Sequence, residues 1–137
     1  MANEARLIIE TGKPIMMKCA DATGIEKGAI LQLTDPMTAS LADGTNQTVA
    51  GICSGEKIAS NGTLYVGVYR EGFAVVKASG SITVGDSVGT ALSNLVVSNR
   101  ATSVLSGAKC LGIAMETATD GEEFVIEIRP TIMNSTL

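Results

Sequence analysis

The residues able to do chemistry are few and poorly placed for it. The 137-residue chain contains no histidine. A nucleophile needs a base within hydrogen-bond reach, so Ser–His and Cys–His pairs are excluded. No Ser-x-x-Lys motif has a helix behind it. Cys19, Cys53 and Cys110 are 34 and 57 residues apart, which fits no zinc pattern. They read as buried reduced thiols, because free cysteine behaves as a small core residue. The carboxylates are spread singly, often beside glycine, as at Asp43-Gly44, Glu71-Gly72 and Gly85-Asp86. Turn and surface roles account for that placement. Thr119-Asp120-Gly121-Glu122-Glu123 is the densest acidic stretch, and it is too short for the alternating oxygens of a calcium loop. The glycines match neither the dinucleotide fingerprint nor the P-loop. The residues therefore predict no catalytic group, no cofactor and no metal.

Bulk properties narrow the field further. Formal net charge is −4, and the ten basic residues are scattered. Phosphate binding needs clustered Lys and Arg, so nucleic acid is not the expected partner. No run of 18 apolar residues occurs, so no membrane span is expected. The first residues lack a basic region followed by a long apolar stretch, which predicts synthesis inside the cell, in the cytoplasm. Hydrophobic residues make up 45% of the chain but aromatics only 3%. The core must be aliphatic. Fifteen glycines, abundant Thr and short β-branched runs point to short strands joined by tight turns.

The elements fall into an order. Residues 1–14 read as an N-terminal segment. Arg6-Leu7-Ile8-Ile9 is apolar, and Gly12 and Pro14 set it apart from the rest of the chain. It suits either an arm or an ordinary first strand. Residues 15–137 read as a single β-barrel-like domain. Strands are predicted at 15–20, 29–33, 48–53, 63–70 and 73–78, with Glu71-Gly72 turning the last two into a hairpin. Asp35-Pro36-Met37 suits the start of one helical turn. Leu64, Val66 and Val68 alternate with Tyr65 and Tyr69, so strand 64–70 is apolar on both faces. A second subunit would provide the second cover and make Leu64, Val66 and Val68 interface candidates; a second layer of the same domain would read identically. Strand 123–129 is one-sided, with Phe124, Ile126 and Ile128 opposite Glu123, Glu127 and Arg129.

The second half repeats the grammar of the first. Ser81-Ile82-Thr83-Val84-Gly85-Asp86-Ser87-Val88 echoes residues 24–31, with Ile82 matching Ile25 and Gly85 matching Gly28 at an offset of 57. Cys110-Leu111-Gly112-Ile113-Ala114 echoes Val49-Ala50-Gly51-Ile52-Cys53, and residues 123–129 echo 64–70. The matching order predicts a diverged internal duplication of a β unit.

These motifs carry a resemblance. Val49-Ala50-Gly51-Ile52-Cys53 followed by Gly62-Thr63-Leu64-Tyr65-Val66-Gly67-Val68-Tyr69-Arg70-Glu71-Gly72-Phe73 resembles the head decoration proteins of tailed phages, including the lambda type. Val84-Gly85-Asp86-Ser87-Val88 with Gly112-Ile113-Ala114-Met115-Glu116 and Asp120-Gly121-Glu122 is similar to related cement domains with a β-tulip barrel. The resemblance spans roughly residues 15–130. It implies an all-β, β-tulip-like small barrel with minor helical turns. It also implies a non-enzymatic virion protein, from a bacteriophage or an archaeal tailed virus, on the outer surface of the capsid. There it would bind the major capsid protein at subunit junctions, as a homotrimer, and stabilise the shell. The arm would supply contacts through Glu4, Arg6, Leu7, Ile8, Ile9 and Thr11, adding a strand to the shell by β-augmentation. Two alternatives stay open: a small-ligand-binding β-barrel, which needs a pocket with convergent polar groups, and a virion tail or fibre component.

Overall fold

In the computed structural model, which describes residues 2–34, 37–45, 47–99 and 108–133, the short β-branched runs become strands of two sheets. Strands β2 (Ile15–Lys18), β3 (Ile30–Thr34), β4 (Thr38–Leu41), β5 (Val49–Cys53) and β6 (Tyr65–Tyr69) close a barrel in the order β2-β4-β3-β5-β6. Strands β1 (Arg6–Ile9), β7 (Gly72–Lys77), β8 (Ser87–Thr90), β9 (Val96–Ser98), β10 (Ala108–Ala114) and β11 (Glu123–Met133) form a six-stranded sheet in the order β1-β7-β11-β10-β8-β9. The described residues include one complete 3₁₀ turn, Leu92–Asn94. The helical turn expected at Asp35-Pro36 lies outside the described residues.

The duplication is visible as topology. Reading the barrel as β2-β6-β5-β3-β4 and the sheet as β7-β11-β10-β8-β9 gives one strand order twice. The barrel closes through a parallel pair, Lys18 with Thr38; the sheet makes one parallel bridge at the corresponding place, Ala78 with Val96. Ile25 bridges Lys57, and Ile82 bridges Ala118. Gly28 and Gly85 share a positive φ (85° and 90°), the backbone state that favours glycine. Gly51 and Gly112 share a packing demand instead. A Cβ on Gly51 would clash with the Tyr69 carbonyl oxygen, and one on Gly112 would clash with that of Glu127.

The expected β6–β7 hairpin does not form. β6 pairs with β2 and β5, whereas β7 pairs with β1 and β11. Each repeat joins its first strand to its last, so β7 belongs with β11. Gly72, at φ 124°, redirects the chain from one sheet to the other.

Strand β5 of the barrel lies between the two cores, with its five residues all buried. Val49 and Ile52 face the core of the six-stranded sheet, with Ala74, Val76, Leu111, Phe124, Ile126 and Ile128. Ala50 and Cys53 face the barrel interior, with Met17, Leu31, Val66 and Val68. The register shift between Leu31, opposite Gly51, and Gln32, opposite Val49, leaves one extra residue on β5, which lets Val49 and Ile52, three apart, share one side. Strand β11 buries Phe124, Ile126 and Ile128 and leaves Glu123 and Arg129 exposed, as its pattern predicts.

Candidate functional site

The polar side chains with the strongest chemical potential are occupied in holding turns. Lys57 is 3% exposed. Its ammonium donates to the carbonyl oxygens of Asp21 (2.8 Å), Thr23 (2.8 Å) and Ile58 (3.5 Å). Ser54-Gly55-Glu56-Lys57 does have the Ser-x-x-Lys spacing, but it lies between β5 and β6 with no helix, and the ammonium is committed to backbone. Asp86 is buried; its Oδ2 accepts from the Thr83 amide and the Ser98 hydroxyl, both at 2.9 Å. The Val-Gly-Asp motif is thus a turn that also ties β8 to β9.

The acidic stretch 119–123 is likewise a set of ties. Glu122 Oε1 accepts from the Thr119 amide and hydroxyl, both at 2.7 Å. The amide bond, and then the hydroxyl bond, hold its carboxyl below the usual range. Asp120 Oδ1 accepts from the Gly80 amide at 2.8 Å, and Glu123 meets Arg6 at 3.3 Å. Cys19, Cys53 and Cys110 are buried free thiols. Burial pushes Cys19 and Cys53 upward in pKa, most directly opposed by Lys57 at Cys19 and by a hydrogen bond with the Gly55 backbone at Cys53. Among the described residues no group of three or more His, Cys, Asp or Glu is placed to hold a metal. The side chains of its core pack in the barrel interior.

The N-terminal segment contributes a surface strand. Arg6–Ile9 pairs with β7 at the edge of the six-stranded sheet, outside the closed barrel. Ala5 is 3% exposed and lies in the core. The Ala5 amide donates to the Gly28 carbonyl (3.0 Å), and the Asn3 side chain donates to the Ser93 carbonyl (2.8 Å). Of the six expected contact residues, Glu4 and Leu7 are half-buried while Arg6, Ile8, Ile9 and Thr11 are exposed. Ile8 and Ile9 are 51% and 52% exposed.

The three interface candidates do not stand together. Val66 and Val68 point into the barrel core, and Leu64 is 52% exposed. Alternation along β6 puts Tyr65, Gly67 and Tyr69 on the outside, so the second cover of this strand belongs to those residues. The second sheet supplies part of it, at Tyr69. Tyr65 and Leu64 are open, beside exposed Met16. Nothing in the sequence marks Ala5, Lys57 and Asn94 for the parts they play in the fold. A buried lysine has no period or motif to announce it.

A fused pair of β units, with its polar groups bound up in turns and its apolar groups partly on edges, defines a structural binding module. Comparison gives that class a family. The model for phage cement proteins matches residues 9–130, so the chain belongs to the phage cement protein family: it is a structural protein of the virion that binds the capsid and stabilises it. Among curated proteins nothing matches the sequence. Among solved structures, the head fiber gp8.5 N base of bacteriophage phi29 is similar, with a TM-score of 0.54 and 19% identity over 88% of this chain and 97% of that one. At that identity the likeness concerns the fold.

Proposed function

We propose that the protein docks on the outer surface of the shell at subunit junctions, through the free edge of β1, and clamps neighbouring copies of the major capsid protein. The observation that supports this is the edge itself. An edge strand offers unpaired backbone groups to another chain, and here it also exposes Ile8 and Ile9. Proteins usually blunt such edges. A shell strand added to β1 would gain main-chain hydrogen bonds and cover both isoleucines, with Arg6, Glu4 and Thr11 at the margins. Many copies on a repetitive shell give stabilisation through avidity.

Trimer formation fits the same reading, with Leu64 as a contact; Val66 and Val68 would act only as the core beneath it. A fibre-base role is a second reading, favoured by the phi29 likeness.

Deleting residues 1–13 would be a poor test, because it also removes Ala5 and the ties to Gly28 and Ser93. The test is an Ile8→Asp, Ile9→Asp variant, co-sedimented with expanded shells beside the unaltered protein, with sedimentation velocity on each. Loss of shell binding at unchanged thermal midpoint and oligomeric state supports the edge. Equal binding by both proteins refutes it, and failure of the unaltered protein to bind any shell refutes docking altogether.

A further inference from the structure

We infer that a second part of the capsid contact is an acid-rimmed apolar strip on the surface where the repeats meet, formed by Ile58, Leu41 and Leu92, and that its partner is a basic, apolar patch on the shell. The inference rests on the capsid-docking reading and names a face within it. Ile58, Leu41 and Leu92 are 64%, 36% and 62% exposed. They are not scattered. Ile58 and Leu41 line one shallow depression of about 450 Å³, and Leu41 and Leu92 line a second of about 440 Å³. Leu41 is the shared wall, so the three side chains form one continuous surface. Ala2 and Asn3 border its far end, from which the chain runs directly into β1.

The duplication provides an internal control. The loop that carries Ile58 follows the Lys57 bridge, and its counterpart follows the Ala118 bridge. At that place the second repeat has Thr119, whose hydroxyl is held by Glu122 at 2.7 Å. One architectural plan is therefore closed with a polar tip in one repeat and left with a bare isoleucine in the other. Folding does not demand the isoleucine. An exposed apolar strip with a polar rim marks an interaction surface.

Charge selects the occupant. Glu26 and Glu56 line the first depression and Asp43 the second. Lys57, the lysine that borders the strip, turns its ammonium inward onto carbonyl oxygens. A second copy of this chain is itself acidic, at −4, and would meet the rim with like charge. A partner offering Lys or Arg around apolar residues is complementary.

The experiment compares the unaltered protein with Ile58→Ser, Leu92→Ser and with Glu56→Lys, each titrated onto expanded shells at low and high salt. Thermal midpoints are measured for all, and sedimentation velocity is run without shells. The expected result is binding at least tenfold weaker for the double serine variant. Glu56→Lys should bind several-fold more weakly at low salt, with the difference shrinking as salt rises. If the unaltered protein binds while both variants bind equally well, the strip is not the contact, although capsid docking stands. If the variants instead change self-association and keep their shell affinity, the occupant is a second copy and the inference is wrong. If the unaltered protein does not bind, the inference falls with the reading beneath it.

Discussion

Replacing Lys57 by methionine isolates one buried ammonium. The side chain keeps its unbranched stem and loses only the terminal ammonium, so the change is electrostatic more than steric. The ammonium makes two hydrogen bonds of 2.8 Å, and its third, at 3.5 Å, contributes little. Asp21 keeps a donor for its carbonyl, since the Ser60 amide also reaches it at 2.7 Å. The Thr23 carbonyl loses the ammonium that Lys57 aims at it. Hydrogen bonds to charged groups contribute about 1.5–3 kcal/mol each, and neither Asp21 nor Thr23 is a buried residue, so water takes up part of that loss. Releasing the ammonium from its own desolvation offsets part of this. The balance is a loss of about 2–3 kcal/mol. For a domain of this size that corresponds to roughly 10 °C in thermal midpoint. Urea unfolding is the assay, with the midpoint shifting at constant slope. A loss below about 0.5 kcal/mol, within the range of ordinary surface substitutions, would show that the loops at 21–24 and 57–62 hold together without the ammonium, as the Ala118 loop does.

Two further outcomes rest on packing and protonation. Gly112→Ala sets a Cβ against the Glu127 carbonyl and should cost about 3 kcal/mol or more in urea unfolding, since backbone cannot step aside cheaply; Gly51→Ala should cost at least as much, because its φ of 146° adds strain. Gly55→Ala, with nothing within 4 Å, is the near-neutral control. The buried thiols predict the alkaline limit. Cys19 and Cys53 are raised in the folded state, so unfolded thiols ionise first; this stability is fully present below the ordinary thiol range and is lost as pH rises through the folded values. The urea midpoint should fall between neutral and strongly alkaline pH, and fall less in a Cys19→Ala, Cys53→Ala variant; parallel curves for the two proteins would contradict this.

The repeat was legible because its marks are local. Gly28 and Gly85 satisfy one backbone conformation, and Gly51 and Gly112 one close approach, so the residue type itself carries the constraint. Pairing was less legible. Glu71-Gly72 between two β-branched runs is a fair hairpin signal, yet the partners of β6 and β7 are fixed by contacts dozens of residues away. The inside of β6 was hidden for a different reason. Leu64, Val66 and Val68 and the tyrosines between them are all apolar, and a period of two cannot say which set faces in. Strands β4 (Thr-Ala-Ser-Leu) and β9 (Val-Val-Ser) are too short and too mixed in β-propensity to declare themselves. For the candidate surface, Ile8 and Ile9 were readable as apolar residues near a terminus, whereas the Ile58–Leu41–Leu92 strip joins three distant segments and exists only in the fold.

The junction of the repeats turns on Asn94, and its replacement bears on how β1 is held. Its Oδ1 accepts the Ile30 amide at 2.7 Å, and its Nδ2 donates to the carbonyls of Asn3 (2.8 Å) and Gly28 (3.0 Å). One side chain from the second repeat thereby fixes the start of β3 in the first and the residues leading into β1. It does so at φ 62°, which Asn tolerates better than other side chains. Asn94→Ala removes three hydrogen bonds at about 0.5–1.5 kcal/mol each and orphans a buried amide, for a total of about 3 kcal/mol. The loss should be unevenly distributed. Hydrogen exchange at the Ala5 amide should accelerate more than exchange in β11, because Ala5 is bonded to the same Gly28 carbonyl that Asn94 secures. Equal acceleration at both places would mean that Asn94 stabilises the whole fold and does not specifically hold the N-terminal strand. Selective acceleration would mean that the segment leading into β1 is held less firmly than β11, as a strand must be if it is to adjust its edge to a shell.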